Sequence, residues 1–252
     1  MENVPYANAI GTIVYPMIST RPNITHSISL LSRYMSNPKK SYWDALKYLL
    51  RYINGSVNCG LCYKRRYDNL DLVRYVDSDF VGDKDSRKSN TAYFFTLGGN
   101  CISWKSQLQP LIALSSTETK YVAIIDAFKE AIWLQGLLRE INLLQIKVVV
   151  LSDSQSAIHL CKNPVYHERS RHIEVKYHFV QELVTNGTVM IKRVSIEDNP
   201  ADMGTKTLTA VKFKHCLSLL HIEVEIVVGE PSKRCHLDWR AISGTSAVHM
   251  NG

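Results

Sequence analysis

The sequence predicts an α/β protein, a mixed sheet flanked by helices and preceded by a helical segment. Three patterns predict it: apolar spacing of helical period up to about Tyr63, strand-like runs from Leu70 onward, and long helical stripes between those runs. With 252 residues and 45% hydrophobic content, the chain can bury an ordinary core in one large domain or two small ones.

In the first segment, Thr20-Arg21-Pro22 opens a helix with Pro in its first turn. Ile24, Ile28, Leu31 and Met35 then recur on one face until Asn37-Pro38 stops it. A second helix follows, with Ser41 and Asp44 as a capping box, Trp43, Leu46, Leu50 and Ile53 as the apolar stripe, and Gly55 as the stop. Two amphipathic helices of this kind need a partner surface.

From Leu70 the period changes. Leu72 to Val76, Thr91 to Leu97, a Gly98-Gly99-Asn100 turn and Cys101 to Lys105 read as an antiparallel meander. Ser115-Ser116-Thr117 cap a long helix carried by Tyr121, Ile124, Ile125, Phe128, Ile132, Leu134, Leu137, Leu138 and Ile141, which the sheet should cover. Ile146 to Leu151, broken only by Lys147, suits a strand buried on both faces. A short helix from Gln155 to Cys161, another from about Ser170 to Val184, a turn at Asn186-Gly187 and a strand from Val189 to Val194 complete the pattern. The expected order is three strands, helix, strand, helix, helix, strand, helix.

A net charge of +7 and an isoelectric point near 9.0 favour a polyanionic partner, although solvated lysines and arginines can produce the same balance. The start, Met1-Glu2-Asn3-Val4-Pro5, has no secretory pattern, and no apolar run reaches membrane-span length. The expectation is an intracellular protein, cytoplasmic or nuclear, neither secreted nor in a membrane. Six scattered cysteines fit reduced thiols better than a disulfide framework, and the lone Cys59-x-x-Cys62 has no second pair to complete a zinc site.

The chemistry lies in the carboxylates. Asp77 ends the first strand of the meander, Asp153 ends the buried strand, and Asp202 follows the last strand in Asn199-Pro200-Ala201-Asp202. Strand ends in an open α/β sheet converge on one edge, where ligands usually bind. Three Asp there repel one another unless cations neutralise them, and oxygen donors suit Mg²⁺. Two such ions, about 3.5–4 Å apart, are a known device for phosphodiester cleavage. Taken singly, each Asp also reads as a turn or cap residue.

Tyr75-Val76-Asp77-Ser78-Asp79-Phe80-Val81-Gly82-Asp83 resembles the first-strand signature of RNase H domains in copia-type retrotransposon Pol polyproteins. Ser103-Trp104-Lys105-Ser106 with Leu114-Ser115-Ser116-Thr117-Glu118, Asp153-Ser154-Gln155-Ser156-Ala157-Ile158, His167-Glu168-Arg169-Ser170-Arg171-His172-Ile173-Glu174 with Tyr177-His178-Phe179, and Asn199-Pro200-Ala201-Asp202 with Thr205-Lys206 resemble the later blocks in order. Pro5-Tyr6, Thr20-Arg21-Pro22, Ser32-Arg33-Tyr34-Met35 and Leu50-Arg51-Tyr52 look like the stretch joining reverse transcriptase to RNase H. The polymerase Tyr-x-Asp-Asp-type hairpin is absent from the sequence.

The resemblance implies an RNase H-like mixed sheet flanked by helices, preceded by a helical connection segment. It divides the chain into a connection remnant (1–65), an RNase H-like domain (70–208), a C-terminal helix (209–222) and an unmatched tail (223–252). It implies hydrolysis of RNA in an RNA·DNA hybrid with Mg²⁺ or Mn²⁺, two ions if the site is intact, held by Asp77, Asp153 and Asp202. The missing reverse transcriptase core is a further partner if the chain is part of a longer polyprotein. Arg169, Arg171, Lys176, Lys192 and Arg193 are candidate phosphate contacts. Asp79 and Asp83 read as turn caps, and His159, His167, His172 and His178 read better as packing or surface groups than as ligands.

One position departs from the family. Its pattern Ser-Thr-Glu-Ala-Glu-Tyr stands here as Ser116-Thr117-Glu118-Thr119-Lys120-Tyr121, so Lys120 replaces the Glu expected to be the fourth ligand. Glu118 is the candidate substitute, but a helix turns about 100° per residue and places it roughly 200° from position 120. Two readings follow: a complete site through Glu118, or a site impaired by Lys120. The rival to an enzyme is a catalytically inactive retroelement remnant with at most nucleic-acid or protein binding.

Overall fold

The computed structural model describes residues 4–64, 70–142, 148–162, 180 and 182–224. The chain divides into two compact units, one built on Met1–Gly60 and the other spanning Leu61–Glu223.

The first unit contains α1 (Tyr6–Ser19), a 3-10 turn at Pro22–Ile24, α2 (Thr25–Ser32) and α3 (Lys40–Asn54). Tyr6, Ile10 and Ile13 pack with Ile24, Ile28, Leu31, Ala45, Leu46 and Leu49. The buried Arg21 ties the turn to the end of α3, donating from Nη1 to Ser56 O at 2.9 Å and from Nη2 to Ser56 Oγ at 2.7 Å. Two details of the sequence reading need correction. Leu49, not Leu50, faces the core, because the stripe of α3 runs through Ala45, Leu46 and Leu49 while Leu50 is exposed. Ser41 and Asp44 form no capping box: the N-cap is Lys39 without a side-chain cap, and Asp44 pairs with Lys47 at 2.6 Å.

The short strands β1 (Cys59–Leu61) and β7 (Ile222–Val224) lie at the limits of the division. Within the second unit, β2 (Leu72–Ser78), β3 (Asn90–Leu97), β4 (Asn100–Leu108), β5 (Val148–Ser152) and β6 (Val189–Arg193) form one sheet in the order β4-β3-β2-β5-β6. The expected meander β2-β3-β4 is antiparallel, and β5 and β6 extend it in parallel with β2. Both parallel connections require crossovers, which explains why helices alternate with strands only in the second half. Between β4 and β5 runs α4 (Ser116–Glu140), and α5 (Gln155–Lys162) follows β5. The expected helix from Ser170 to Val184 lies largely outside the described residues. A 3-10 turn (Pro200–Gly204) and α6 (Ala210–Leu219) come after β6. The helix expected over 209–222 therefore ends at Leu219, and Ile222 already belongs to β7.

Tyr121, Ile124, Ile125, Phe128, Leu134 and Leu138 of α4 join Leu72, Val76, Phe95, Val148, Val150 and Ile191 of the sheet in one core. Leu137 and Ile141, which the sequence reading also placed on this face, are exposed. Inside the core lies Arg74, fully buried, with its guanidinium carbon 4.5 Å from the Tyr93 ring centre and 4.4 Å from that of Phe95. None of its three nitrogens has a hydrogen-bond partner. Burial pushes its pKa below the ordinary arginine value, against the pull of Tyr93, Glu130 and Asp126. Contact with two aromatic faces returns on the order of 2 kcal/mol when desolvated, less than the several kcal/mol that burying an ion costs. Arg74→Met is therefore expected to raise the urea midpoint of unfolding, by an amount equivalent to about 1–4 kcal/mol. A lowered midpoint would show that the ring contacts outweigh desolvation.

Candidate functional site

The parallel pairing of β2 with β5 sets the site. Val76 stands opposite Ser152 in the register, so Asp77 and Asp153, one step further along each chain, emerge side by side at the same edge. Asp202 reaches that edge from the 3-10 turn after β6. Asn199 Nδ2 donates to Val76 O at 3.1 Å, fastening the turn to β2. At its other end Gly204 O accepts from Asn90 Nδ2 at 2.9 Å and Ser106 Oγ at 2.7 Å. Gly204 is needed for this approach, because a Cβ there would lie 2.4 Å from Ala92 Cβ.

The result is three carboxylates whose ligand atoms lie within 4.8 Å of one another. By donor chemistry this triad could hold a divalent cation. The described residues place an ammonium there instead. Lys120 Nζ donates to Asp77 Oδ1 at 2.6 Å and to Asp153 Oδ1 and Oδ2 at 2.6 and 2.8 Å. Asp77 Oδ2 accepts from Thr205 Oγ1. Lys206 Nζ lies 2.9 Å from Asp202 Oδ1 and 3.8 Å from Asp77 Oδ2, and Lys212 Nζ lies 4.0 Å from Asp202 Oδ2. An ion bridging Asp77 and Asp153 would need the place that the Lys120 ammonium holds, so the residues present do not fit a two-ion centre.

Lys120 is aimed by the start of α4. Ser115 Oγ caps the helix by accepting from Glu118 N at 3.1 Å, and Gln109 Nε2 bridges Thr91 Oγ1 and Thr119 O at 2.8 and 2.9 Å. Thr119 and Tyr121 on either side are buried, which leaves position 120 facing the sheet edge. Glu118 is placed outside the carboxylate group: its Oε2 accepts from Leu114 N at 2.8 Å. Ser115-x-x-Glu118 has the spacing of a capping box, a signal in the sequence that points to this helix-start role. Asp79 Oδ1 accepts from Asn90 N at 2.5 Å and Asp83 Oδ2 from Ser86 N at 3.2 Å, both in the turn after β2. Lys192 and Arg193 are exposed on β6. Arg169, Arg171 and Lys176, like His167, His172 and His178, lie outside the described residues. The motif residues do not single out Lys206, although its spacing of four from Asp202 is the usual one for a local ion pair.

The charges adjust to one another. Burial alone would raise the Asp77 pKa, but Lys120 and Lys206 outweigh it and hold the carboxyl below its ordinary range. Burial would likewise lower Lys120, yet Asp77 and Asp153 keep it above the usual lysine value. Asp202 is less well compensated: burial and the charge of Asp77 push it up to about 6, against Lys206.

A five-stranded mixed sheet in this order, with a long helix against it and three Asp at one edge, defines an RNase H-like domain. No family model matches the chain. It is 44% identical over 220 residues, 87% of its length, to the retrovirus-related Pol polyprotein from transposon TNT 1-94 of Nicotiana tabacum. It covers 16% of that polyprotein. The chain belongs to the retrotransposon Pol polyproteins, as its motifs imply. It is also 44% identical over 134 residues to secreted RxLR effector protein 161 of Plasmopara viticola, covering 53% of this chain and 94% of that protein. Among solved structures, it is similar to a ribonuclease H1 isolated from compost by a metagenomic approach, with 14% identity and a TM-score of 0.42 over 54% of this chain and 93% of that one.

Two outcomes are expected. Gly204→Ala should lower stability by about 1–3 kcal/mol in urea denaturation, because the added methyl must displace Ala92 or the turn. For Asp202, the folded value of about 6 exceeds the ordinary 3.8, so between these values the folded chain keeps a proton that the unfolded chain has released. Its contribution to stability therefore falls as pH rises through that window. The urea midpoint of Asp202→Asn relative to native should climb from about pH 4 to pH 6 and then level off.

Proposed function

We propose that the larger unit is the RNase H-like domain of a copia-type Pol polyprotein whose hydrolytic step is disabled at position 120. The family activity that the motifs imply is hydrolysis of the RNA strand of an RNA·DNA hybrid. The single observation that carries this reading is the Lys120 ammonium 2.6 Å from both Asp77 and Asp153, where the family pattern has a carboxylate. Glu-to-Lys exchange changes the local charge by two and removes an oxygen donor. The Leu114 contact of Glu118 gives no support to a compensating role for that residue.

In this reading 1–65 is a connection remnant, 70–208 the RNase H-like domain, 209–222 a C-terminal segment whose helix is α6 (Ala210–Leu219), and 223–252 a tail outside the family pattern. The chain would bind a hybrid through phosphates and RNA 2′-hydroxyls rather than base edges, with Lys192 and Arg193 among the described candidates for phosphate contact. A reverse transcriptase core would be its partner within a longer polyprotein. The second reading, a catalytically inactive retroelement remnant with at most nucleic-acid or protein binding, is favoured by the same lysine.

The test is cleavage of a labelled RNA·DNA hybrid in Mg²⁺ and in Mn²⁺ by the full chain and by Lys120→Glu, each with Asp153→Asn as control. Native protein should cleave no faster than its control, while Lys120→Glu should gain about 100-fold or more, the scale on which single electrostatic groups act in transition states. Native cleavage that Asp153→Asn abolishes would refute the proposal. A folded Lys120→Glu that cleaves no hybrid favours the remnant reading, and a gain of cleavage excludes it.

A further inference from the structure

Three buried or half-buried carboxylates meet at the sheet edge, and the question is what keeps them together. We infer that Lys120 is a tethered cation standing in for a divalent ion: it closes the Asp77–Asp153 gap to metal and lets the edge assemble without any. The inference rests on the reading of this edge as a modified RNase H-type site.

The geometry is that of a filled ion site. An ammonium has three N–H donors and no acceptor. Here its three contacts go to Asp77 Oδ1, Asp153 Oδ1 and Asp153 Oδ2, all at 2.6–2.8 Å. With Thr205 Oγ1 on Asp77 Oδ2, every carboxylate oxygen of this pair has a partner from the chain. The Lys120 side chain is 18% exposed, and those of Asp77 and Asp153 are 1% and 9% exposed, so solvent screens the group little. The lysine cannot swing away cheaply, since departure leaves two crowded anions in a poorly hydrated edge.

Charge points the same way. Lys206 lies against Asp202, and Lys212 sits at the outer limit of an ion pair with it while also donating to Ile196 O at 2.6 Å. Three ammonium groups thus face three carboxylates. A Mg²⁺ ion binds oxygens at about 2.0–2.1 Å, demands near-octahedral coordination and gives up water reluctantly. To bridge Asp77 and Asp153 it would have to expel the ammonium and bear its repulsion afterwards. A divalent ion therefore finds neither free oxygens nor uncompensated charge in this gap.

The test is an electron paramagnetic resonance titration of the full chain with Mn²⁺, alongside melting in EDTA and in Mg²⁺. Native protein should bind no more Mn²⁺ than Asp153→Asn and melt at one temperature in both conditions. Lys120→Met should melt lower in EDTA, recover in Mg²⁺, and bind Mn²⁺ at least about tenfold more tightly than native, the span by which neighbouring groups change metal affinity. A native Mn²⁺ site that Asp153→Asn removes, or a native melting temperature raised by Mg²⁺, would overturn the inference. If Lys120→Met does not fold, the native and Asp153→Asn comparison decides alone. Native Mn²⁺ binding without hybrid cleavage would sink this inference and leave the proposed function standing. Metal gained by Lys120→Met with no cleavage from Lys120→Glu would do the reverse.

Discussion

Asp77, Asp153 and Asp202 cannot share one edge as bare anions, and most of the larger unit's polar structure answers that constraint. The parallel register of β2 and β5 forces the first two together, and the Asn199 clamp on Val76 O brings the third. Neutralisation then comes from ammonium groups aimed by separate elements, Lys120 from near the start of α4, Lys206 from just beyond the 3-10 turn and Lys212 from α6, while Thr205 adds a hydrogen bond to Asp77. The start of α4 and the end of the 3-10 turn are held in turn by buried hydrogen bonds, Gln109 with Thr119 and Asn90 with Gly204. The edge is stabilised by agreement among distant parts of the chain rather than by any local motif.

On the proposed reading, the fold persists without the chemistry that its family pattern implies. A buried cluster of carboxylates requires positive charge whether or not that charge catalyses anything. An inward-facing lysine meets the requirement in one substitution, since its four-carbon stem reaches across the edge and its ammonium satisfies three acceptors at once. Kinship with Pol polyproteins supplies the ancestry, and position 120 supplies the departure from it.

The smaller unit follows a different logic. Its core is a largely aliphatic seam among three helices, and the buried polar residue beside it, Arg21, donates from each of its three nitrogens to Ser56 or Asn23. Arg74 in the larger unit has no such partners and relies on two aromatic faces. The contrast shows that burial of a guanidinium is tolerated for two separate reasons within one chain.

The strand meander, the long helix after Ser115, the central apolar strand, Asp77 and Asp153 at strand ends and Asp202 beyond the last strand are all legible in the sequence, because period, caps and strand termini are local properties. Periodicity alone does not separate Leu49 from Leu50, nor show that Leu137 and Ile141 are exposed, since neighbouring helical positions differ by only about 100° and the partner surface decides which is covered. Lys120 was visible as an odd residue in a familiar pattern, and its reach across to Asp77 and Asp153 was not. That contact joins positions 43 and 33 residues apart. Residue identity and spacing determined which groups were available; only the parallel β2–β5 register and the packing of α4 against the sheet decided which charges would meet, because electrostatic partners are chosen by distance in space.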